Sequence, residues 1–296
     1  MALIPIQKNI DDILKCEEQF GLSTGISGID EAINGLRPAN LIMIGAYVGA
    51  GKTSLATDMI LATAKEVPSA MFSLEMSVNQ IVDRAIYNKA QINYHSGKAG
   101  RLDKSDEADL KEATNYIKGL KDIYIDEVAR TMYPSWILAK EEKEDSIEQA
   151  FKRYYDAGCR AFYCDYVQLI GYGFKSESET LRLKAITGKL HQMAVEYQVP
   201  IICLAQLKKG DEESNKQEPS ISSIRDSGYL LADSDIILLL HRPSYFTPKE
   251  EIDMFSQHSE DAYVICCKNR NGPLGKIPVK FQGWNMSWKG LESGGI

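Results

Sequence analysis

The sequence predicts an α/β fold: a mostly parallel sheet flanked by helices, extended near its C-terminal end by an antiparallel hairpin. Three observations predict it. Short apolar runs alternate with longer segments of helical character. Most of these runs are apolar throughout rather than alternating, as strands covered on both faces are. A glycine-rich loop, "GAYVGAGKTS", joins the first run to a helix-forming stretch, "SLATDMILATAKE".

Taken in order, the chain begins with Ile6, Ile10, Ile13 and Leu14 at i, i+4, i+7 and i+8, the stripe of an amphipathic helix whose apolar face needs a partner. That partner is either its own domain or a neighbouring subunit. The strand runs follow: "LIMIGA" from Leu41, "SAMFSL" from Ser69, "DIYID" from Asp122, "RAFYCD" from Arg160, "VPIICLAQ" from Val199, "DIILLL" from Asp235 and "AYVICCK" from Ala262. A polar loop joins the last two, and "AYVICCK" turns through Asn271-Gly272-Pro273 into "KIPVKFQ", so this part is expected to be antiparallel. Two polar stretches without sustained periodicity, Lys208 to Ser220 and Arg242 to Asp261, read as surface loops.

At 296 residues, with 44% hydrophobic and 25% charged side chains, the chain has the composition of an ordinary globular protein. The expectation is one domain with small appendages. No apolar run approaches the roughly 20 residues that span a bilayer, and the first residues lack the apolar centre of a signal peptide. A cytoplasmic location with no membrane partner is therefore expected. The six cysteines show no C-x-x-C spacing, and four lie within strand runs, which favours buried thiols over zinc or disulfides. A net charge of −7 argues against general affinity for polyanions, so nucleic-acid binding would need a local patch or a channel between subunits.

The loop carries the clearest chemistry. It meets the pattern G-x-x-x-x-G-K-[ST] except that Ala46 stands in place of the first glycine. In such a loop the backbone N–H groups around Gly49, Ala50 and Gly51, with the helix N-terminus at Lys52, Thr53 and Ser54, cradle phosphates. Lys52 reaches the β and γ oxygens, and the Thr53 hydroxyl serves Mg²⁺; the alternative is a chance glycine-rich turn. Hydrolysis also needs a carboxylate for magnesium and a group that orients water. Asp165, Asp126 with Glu127, and Glu75 all follow strand runs, at the end where ligands lie in such sheets. Taken alone, a strand-end carboxylate is as a rule a solvated loop residue, and spacing does not separate Asp165 from Asp126.

Gln206 ends another strand run, either as a plain cap or as a sensor of the γ-phosphate. Arg225, Asp226 and Gly228 in "IRDSG" suit close approach of a phosphate backbone or, equally, a salt-bridged turn. Lys268 and Arg270 end "AYVICCKNR", where charges either protect a sheet edge or meet an anion.

Together these motifs resemble the ATPase domain of DnaB-type replicative helicases, the ring-forming RecA-like P-loop motors. The resemblance runs in order through "TGISGIDEAINGLRPANLIMIGAYVGAGKTS", "FSLEMS", "IDE", "CDYVQLI", "PIICLAQLKKG", "IRDSGYLLADSDIILLLHRPSYF" and "KNRNGPLGKIPVKF". It implies ATP and Mg²⁺ as ligands, with Asp165 as the magnesium-side carboxylate and Glu75 as the base that polarises water. Arg84 would lie near the nucleotide, and Gln206 would couple the γ-phosphate to a DNA-facing loop. Arg225, Asp226 and Gly228 would hold single-stranded DNA in a central channel. Arg270 would be an arginine finger, with Lys268 its companion, acting on the neighbouring subunit's nucleotide.

The implied function is a hexameric ATP-dependent helicase that translocates 5′ to 3′ on single-stranded DNA, with primase and a helicase loader as further partners. Residues 1–20 resemble the linker helix that docks on the next subunit, and 21–296 the motor domain; the family usually carries a sizeable N-terminal collar domain, whereas about 20 residues precede the motor here, so the chain reads either as an excised fragment or as a compact, phage-type member. The alternatives are a RecA/RadA-like recombinase and a nucleotide-binding assembly factor. "SLEMS" and "KNRNGPLG" speak against the first, and the set Lys52, Thr53, Glu75, Asp165 against the second.

Overall fold

The computed structural model describes residues 20–127, 147–170, 179–207, 218–224, 232–246 and 258–291. The stripe at Ile6 to Leu14 and the "IRDSG" residues Arg225, Asp226 and Gly228 lie outside them. Nine strands form one sheet in the order β3-β2-β4-β5-β1-β6-β7-β8-β9. Six are mutually parallel: β1 (Leu41–Ala46), β2 (Ser69–Ser73), β3 (Ile123–Asp126), β4 (Ala161–Asp165), β5 (Ile201–Gln206) and β6 (Ile236–His241). β7 (Ser259–Asn269), β8 (Gly275–Gln282) and β9 (Ser287–Gly290) add to β6 in antiparallel fashion.

The all-apolar runs have the burial expected of them. β1, β2, β4 and β6 are buried at every position, whereas β8 alternates exposed and buried along most of its length. That contrast explains why β6 reads as a core strand and β8 as a half-covered extension. Two details depart from the sequence reading. β9 is not among the expected strands, and β7 begins at Ser259, inside the stretch read as loop. Cys159, Cys164, Cys203 and Cys266 are buried thiols, and Cys267 is half-buried.

The described helices are α1 (Ser27–Ile33), α2 (Lys52–Thr63), α3 (Val78–Ala90), α4 (Tyr94–Lys98), α5 (Lys104–Lys118), α6 (Ile147–Asp156) and α7 (Glu179–Tyr197). None is long and apolar enough to cross a membrane. α3 starts at a capping box in which Ser77 and Gln80 satisfy each other's backbone N–H groups; Asp103 and Asp106 do the same for α5. α2 packs against β1, β4, β5 and β9, and every one of its residues except Asp58 is buried. A helix wrapped on all sides in this way shows no amphipathic stripe.

Strand register decides what meets at the sheet's edge. Ala46 ends β1 beside Gln206 of β5, and Ser73 of β2 lies beside Asp165 of β4. The carboxyl ends of four strands therefore converge where the glycine loop leaves β1, the position at which α/β sheets bind ligands.

Candidate functional site

The loop after β1 needs glycine at two places. Gly49 has φ 76° and Gly51 φ 99°, the left-handed region that side chains resist. At Gly51 a Cβ would also stand 3.0 Å from Phe281 Cε2 and 3.1 Å from Trp288 Nε1. Gly51 caps α2 without any side-chain hydrogen bond, so no side chain there occupies the N–H groups of the helix's first turn. Uncapped donors at a buried helix N-terminus suit an anion. They face a cleft of about 510 Å³ whose lining includes Gly49, Lys52, Thr53, Glu75, Arg84 and Arg242. Lys52 is buried, with its ammonium 5.5 Å from the centroid of the Tyr166 ring.

Thr53 Oγ1 donates to Asp165 Oδ2 at 2.6 Å. Asp165 is fully buried, and burial raises its pKa; the Thr53 bond and the charges of Lys52 and Arg84 act against that shift, while Glu75 adds to it. Its other oxygen, Oδ1, is buried and has no hydrogen-bond partner. A hydroxyl and a buried carboxylate with one unengaged oxygen, beside a phosphate cradle, are a donor set that fits a magnesium ion. Asp126 is elsewhere: β2 separates its strand from β4, and its carboxylate accepts from the Tyr154 hydroxyl at 3.0 Å. Strand order thus puts Asp165 and not Asp126 against Thr53.

Glu75 follows β2 and Arg84 projects from α3, and both line the cleft. Arg84 Nε is buried without a hydrogen-bond partner, a donor with unused capacity. Ser54 also lines the cleft, while Ala50 is buried within the loop. Gln206 stands at the same edge; its backbone N–H and C=O are both bonded by the Gln168 amide at 3.2 and 3.1 Å.

Lys268 and Arg270 are not at this edge. β7 runs against β6, so Asn269 pairs with Ile236, the first residue of β6, and Ile236 with Ile42 near the start of β1. The length of β1, about 17 Å at 3.3 Å per residue, therefore separates Arg270 from the end of the strand that carries its own cradle. There Arg270 Nη1 donates to Asp235 at 2.7 Å and Nη2 to Ala232 O at 2.8 Å, and Lys268 Nζ reaches Ala232 O at 3.4 Å.

Arg242 is a site residue that the sequence reading missed. Assigned there to a surface loop, it instead lies in the cleft, its guanidinium 3.9 Å from the Phe281 ring and held by Glu260 through bonds of 2.9 to 3.2 Å. The signal was present: Arg242 directly follows β6, at the carboxyl end where the other candidates lie. Trp288 of the unexpected β9 is a second such residue. Its indole N–H donates to Gly51 O at 3.0 Å, and its backbone N–H donates to Asp58 Oδ2 at 2.7 Å. Asn88 of α3 donates to Asp58 Oδ1 at 2.6 Å, so one carboxylate ties α2 to α3 and β9. Burial of that carboxyl outweighs these bonds and the charge of Lys289, pushing its pKa up to about 7, although part of the residue's surface stays exposed.

Comparison with known proteins adds to this geometry. The family model described as DnaB-like helicase C terminal domain matches residues 21–289. A probable plasmid replicative DNA helicase of Chlamydia psittaci is 32% identical over 263 residues, covering 88% of this chain and 54% of that protein. The replicative DNA helicase DnaB of Haemophilus influenzae is 29% identical over 285 residues, covering 93% of this chain and 57% of that protein. The chain thus spans about half the length of these relatives. Among solved structures, one described as an ATPase domain superimposes with a TM-score of 0.79 at 26% identity, covering 97% of both chains. A DnaB-like replicative helicase, whose structure was described with its interactions with primase, gives 0.80 at 26% identity, covering 97% of this chain and 68% of the other.

Proposed function

Because the chain belongs to the DnaB-like helicase C-terminal domain family, we propose that it is an ATP-hydrolysing motor that moves along single-stranded DNA and separates duplex strands as a hexameric ring. The observation that carries this reading is the cradle itself: a glycine loop and uncapped helix N-terminus with Lys52 at its base and Thr53 bonded to Asp165. A recombinase or a nucleotide-binding assembly factor is not favoured, since the family model spans almost the whole chain.

In this reading the loop N–H groups and Lys52 hold the β- and γ-phosphates, and Arg242 on its Phe281 support meets the face of the nucleobase. Thr53 and Asp165 hold magnesium, which supplies charge neutralisation to the phosphate oxygens when bound. Glu75 orients the attacking water and takes its proton, Arg84 lies near the nucleotide, and Gln206 couples the γ-phosphate state to the DNA-facing loop. The remaining requirement is a cation for the charge that develops on the transferring phosphoryl group. Arg270 is its source, and since the fold keeps Arg270 away from its own cradle, it serves a neighbouring copy, with Lys268 beside it.

Arg225, Asp226 and Gly228 are proposed to hold the DNA backbone in the channel of the ring. Primase and a loader are proposed partners, residues 1–20 a subunit-docking helix, 21–296 the motor domain, and the cytoplasm the place of action. The test is ATP turnover with and without single-stranded DNA, together with unwinding of a forked duplex. Lys52→Ala is expected to abolish turnover, whereas Arg225→Ala weakens DNA binding and the DNA stimulation of turnover. An ATPase indifferent to DNA that unwinds nothing would refute the proposed function, and the reverse pattern in the two variants would refute the site assignment.

A further inference from the structure

Asp235 lies just before β6, is 6% exposed, and is bonded through every polar atom it has. Its N–H donates to Leu41 O at 2.9 Å and its C=O accepts from Arg270 N at 3.0 Å. Its carboxylate accepts from Leu41 N at 2.8 Å through Oδ2 and from Arg270 Nη1 at 2.7 Å through Oδ1. His191 Nε2 of α7 is 3.4 Å from Oδ2. A buried carboxylate is costly unless it is paired, and the guanidinium beside it is the pairing charge.

We propose that Asp235 is the positioning residue of the arginine finger, an inference that rests on the in-trans role of Arg270. A guanidinium has five N–H donors in one rigid plane. Two of them are engaged, by Asp235 and by Ala232 O, and the Arg270 side chain is still 43% exposed. The plane is therefore held by two bonds within its own subunit while much of the side chain stays open to solvent. An unsupported arginine samples many rotamers, and a misplacement near 1 Å at a reacting group lowers a rate by about 10²-fold. The same carboxylate also holds the first residue of β1. The finger is thus anchored to the rigid centre of the sheet, although it stands on a hairpin at its edge.

Asp235→Asn removes the charge and puts an amide NH₂ where one of two donors now points. ATP turnover is expected to fall by about 10²-fold, with nucleotide affinity unchanged within about twofold. The decisive measurement mixes this variant with Lys52→Ala, whose cradle is dead but whose finger is intact. Asp235→Asn cradles served by Lys52→Ala fingers are expected to turn over again, as in a parallel mixture of Arg270→Ala with Lys52→Ala.

If the Arg270→Ala mixture recovers and the Asp235→Asn mixture does not, Asp235 supports its own subunit's site or fold. The inference is then wrong while the proposed function stands. If neither mixture recovers although mixed rings form, the finger does not act in trans and both fall. Wild-type turnover in Asp235→Asn alone also overturns the inference. Should the Asn variant fail to fold, Asp235→Glu keeps the charge and displaces the guanidinium, and the same mixtures decide.

Discussion

Thr53 and Asp165 are 112 residues apart in the chain and 2.6 Å apart in the fold. Lys52 and Thr53 are legible in the sequence because a phosphate loop needs its residue types at fixed spacing. Their carboxylate partner is not legible from spacing, because its position depends on which strand lies next to which; only the family resemblance pointed to Asp165. Arg242 was hidden for another reason: it heads a polar stretch, and polarity alone does not distinguish a solvated loop from the rim of a site for a polar ligand. Its stack on Phe281 supports a residue-scale prediction. Arg242→Ala is expected to weaken nucleotide binding by about tenfold, consistent with roughly 1–2 kcal/mol for a partly desolvated cation–π contact. Equilibrium titration with a fluorescent nucleotide measures this, and an unchanged affinity would remove Arg242 from the site.

At the scale of elements, strands β1 to β8 could be read from apolar runs and turn signals, whereas β9 could not. Ser287–Gly290 is only four residues long, and what makes it a strand is tertiary: pairing with β8, and the Trp288 ring packed on Phe281 at 5.0 Å. Asp58 binds this strand to α2 and α3, and its raised pKa has a measurable consequence. In the unfolded chain the carboxyl ionises near 3.8, in the folded one near 7. Between those values the folded state holds a proton that the unfolded state has lost, so this group's contribution to stability declines as pH rises, and it levels off above about 7. Urea midpoints measured from pH 5 to 8 are expected to fall more steeply for the wild type than for Asp58→Asn. The difference has an upper limit of about 1.4 kcal/mol per pH unit. Parallel profiles would show that Asp58 ionises normally.

For the molecule as a whole, the α/β class and the antiparallel extension were legible, because fully apolar runs announce strands covered on both faces. The separation of Arg270 from its own cradle was legible only through the family resemblance, which implied action on a neighbouring subunit. It follows from the antiparallel course of β7, which carries Lys268 and Arg270 back to the amino-terminal edge of the parallel strands. On the proposed in-trans role of Arg270, one copy alone holds two half-sites, a glycine-loop cradle at one edge and a cation at the other. ATP turnover per chain is therefore expected to fall on dilution, as copies separate, while nucleotide binding per chain stays constant. Turnover independent of concentration in a preparation shown to be monomeric would refute this.

The pairing of β1 has a consequence for how the chain is made. Leu41 pairs with Ile201 and Ile42 with Ile236, while Gly51 O receives its hydrogen bond from Trp288, 237 residues further along the chain. The strand that carries the cradle leaves a ribosome before either neighbour, and the indole that braces the loop follows 237 residues after Gly51. Contacts so distant along the chain form slowly, and only after their later partner has been synthesised. A growing chain thus cannot brace its glycine loop until Trp288 has been made.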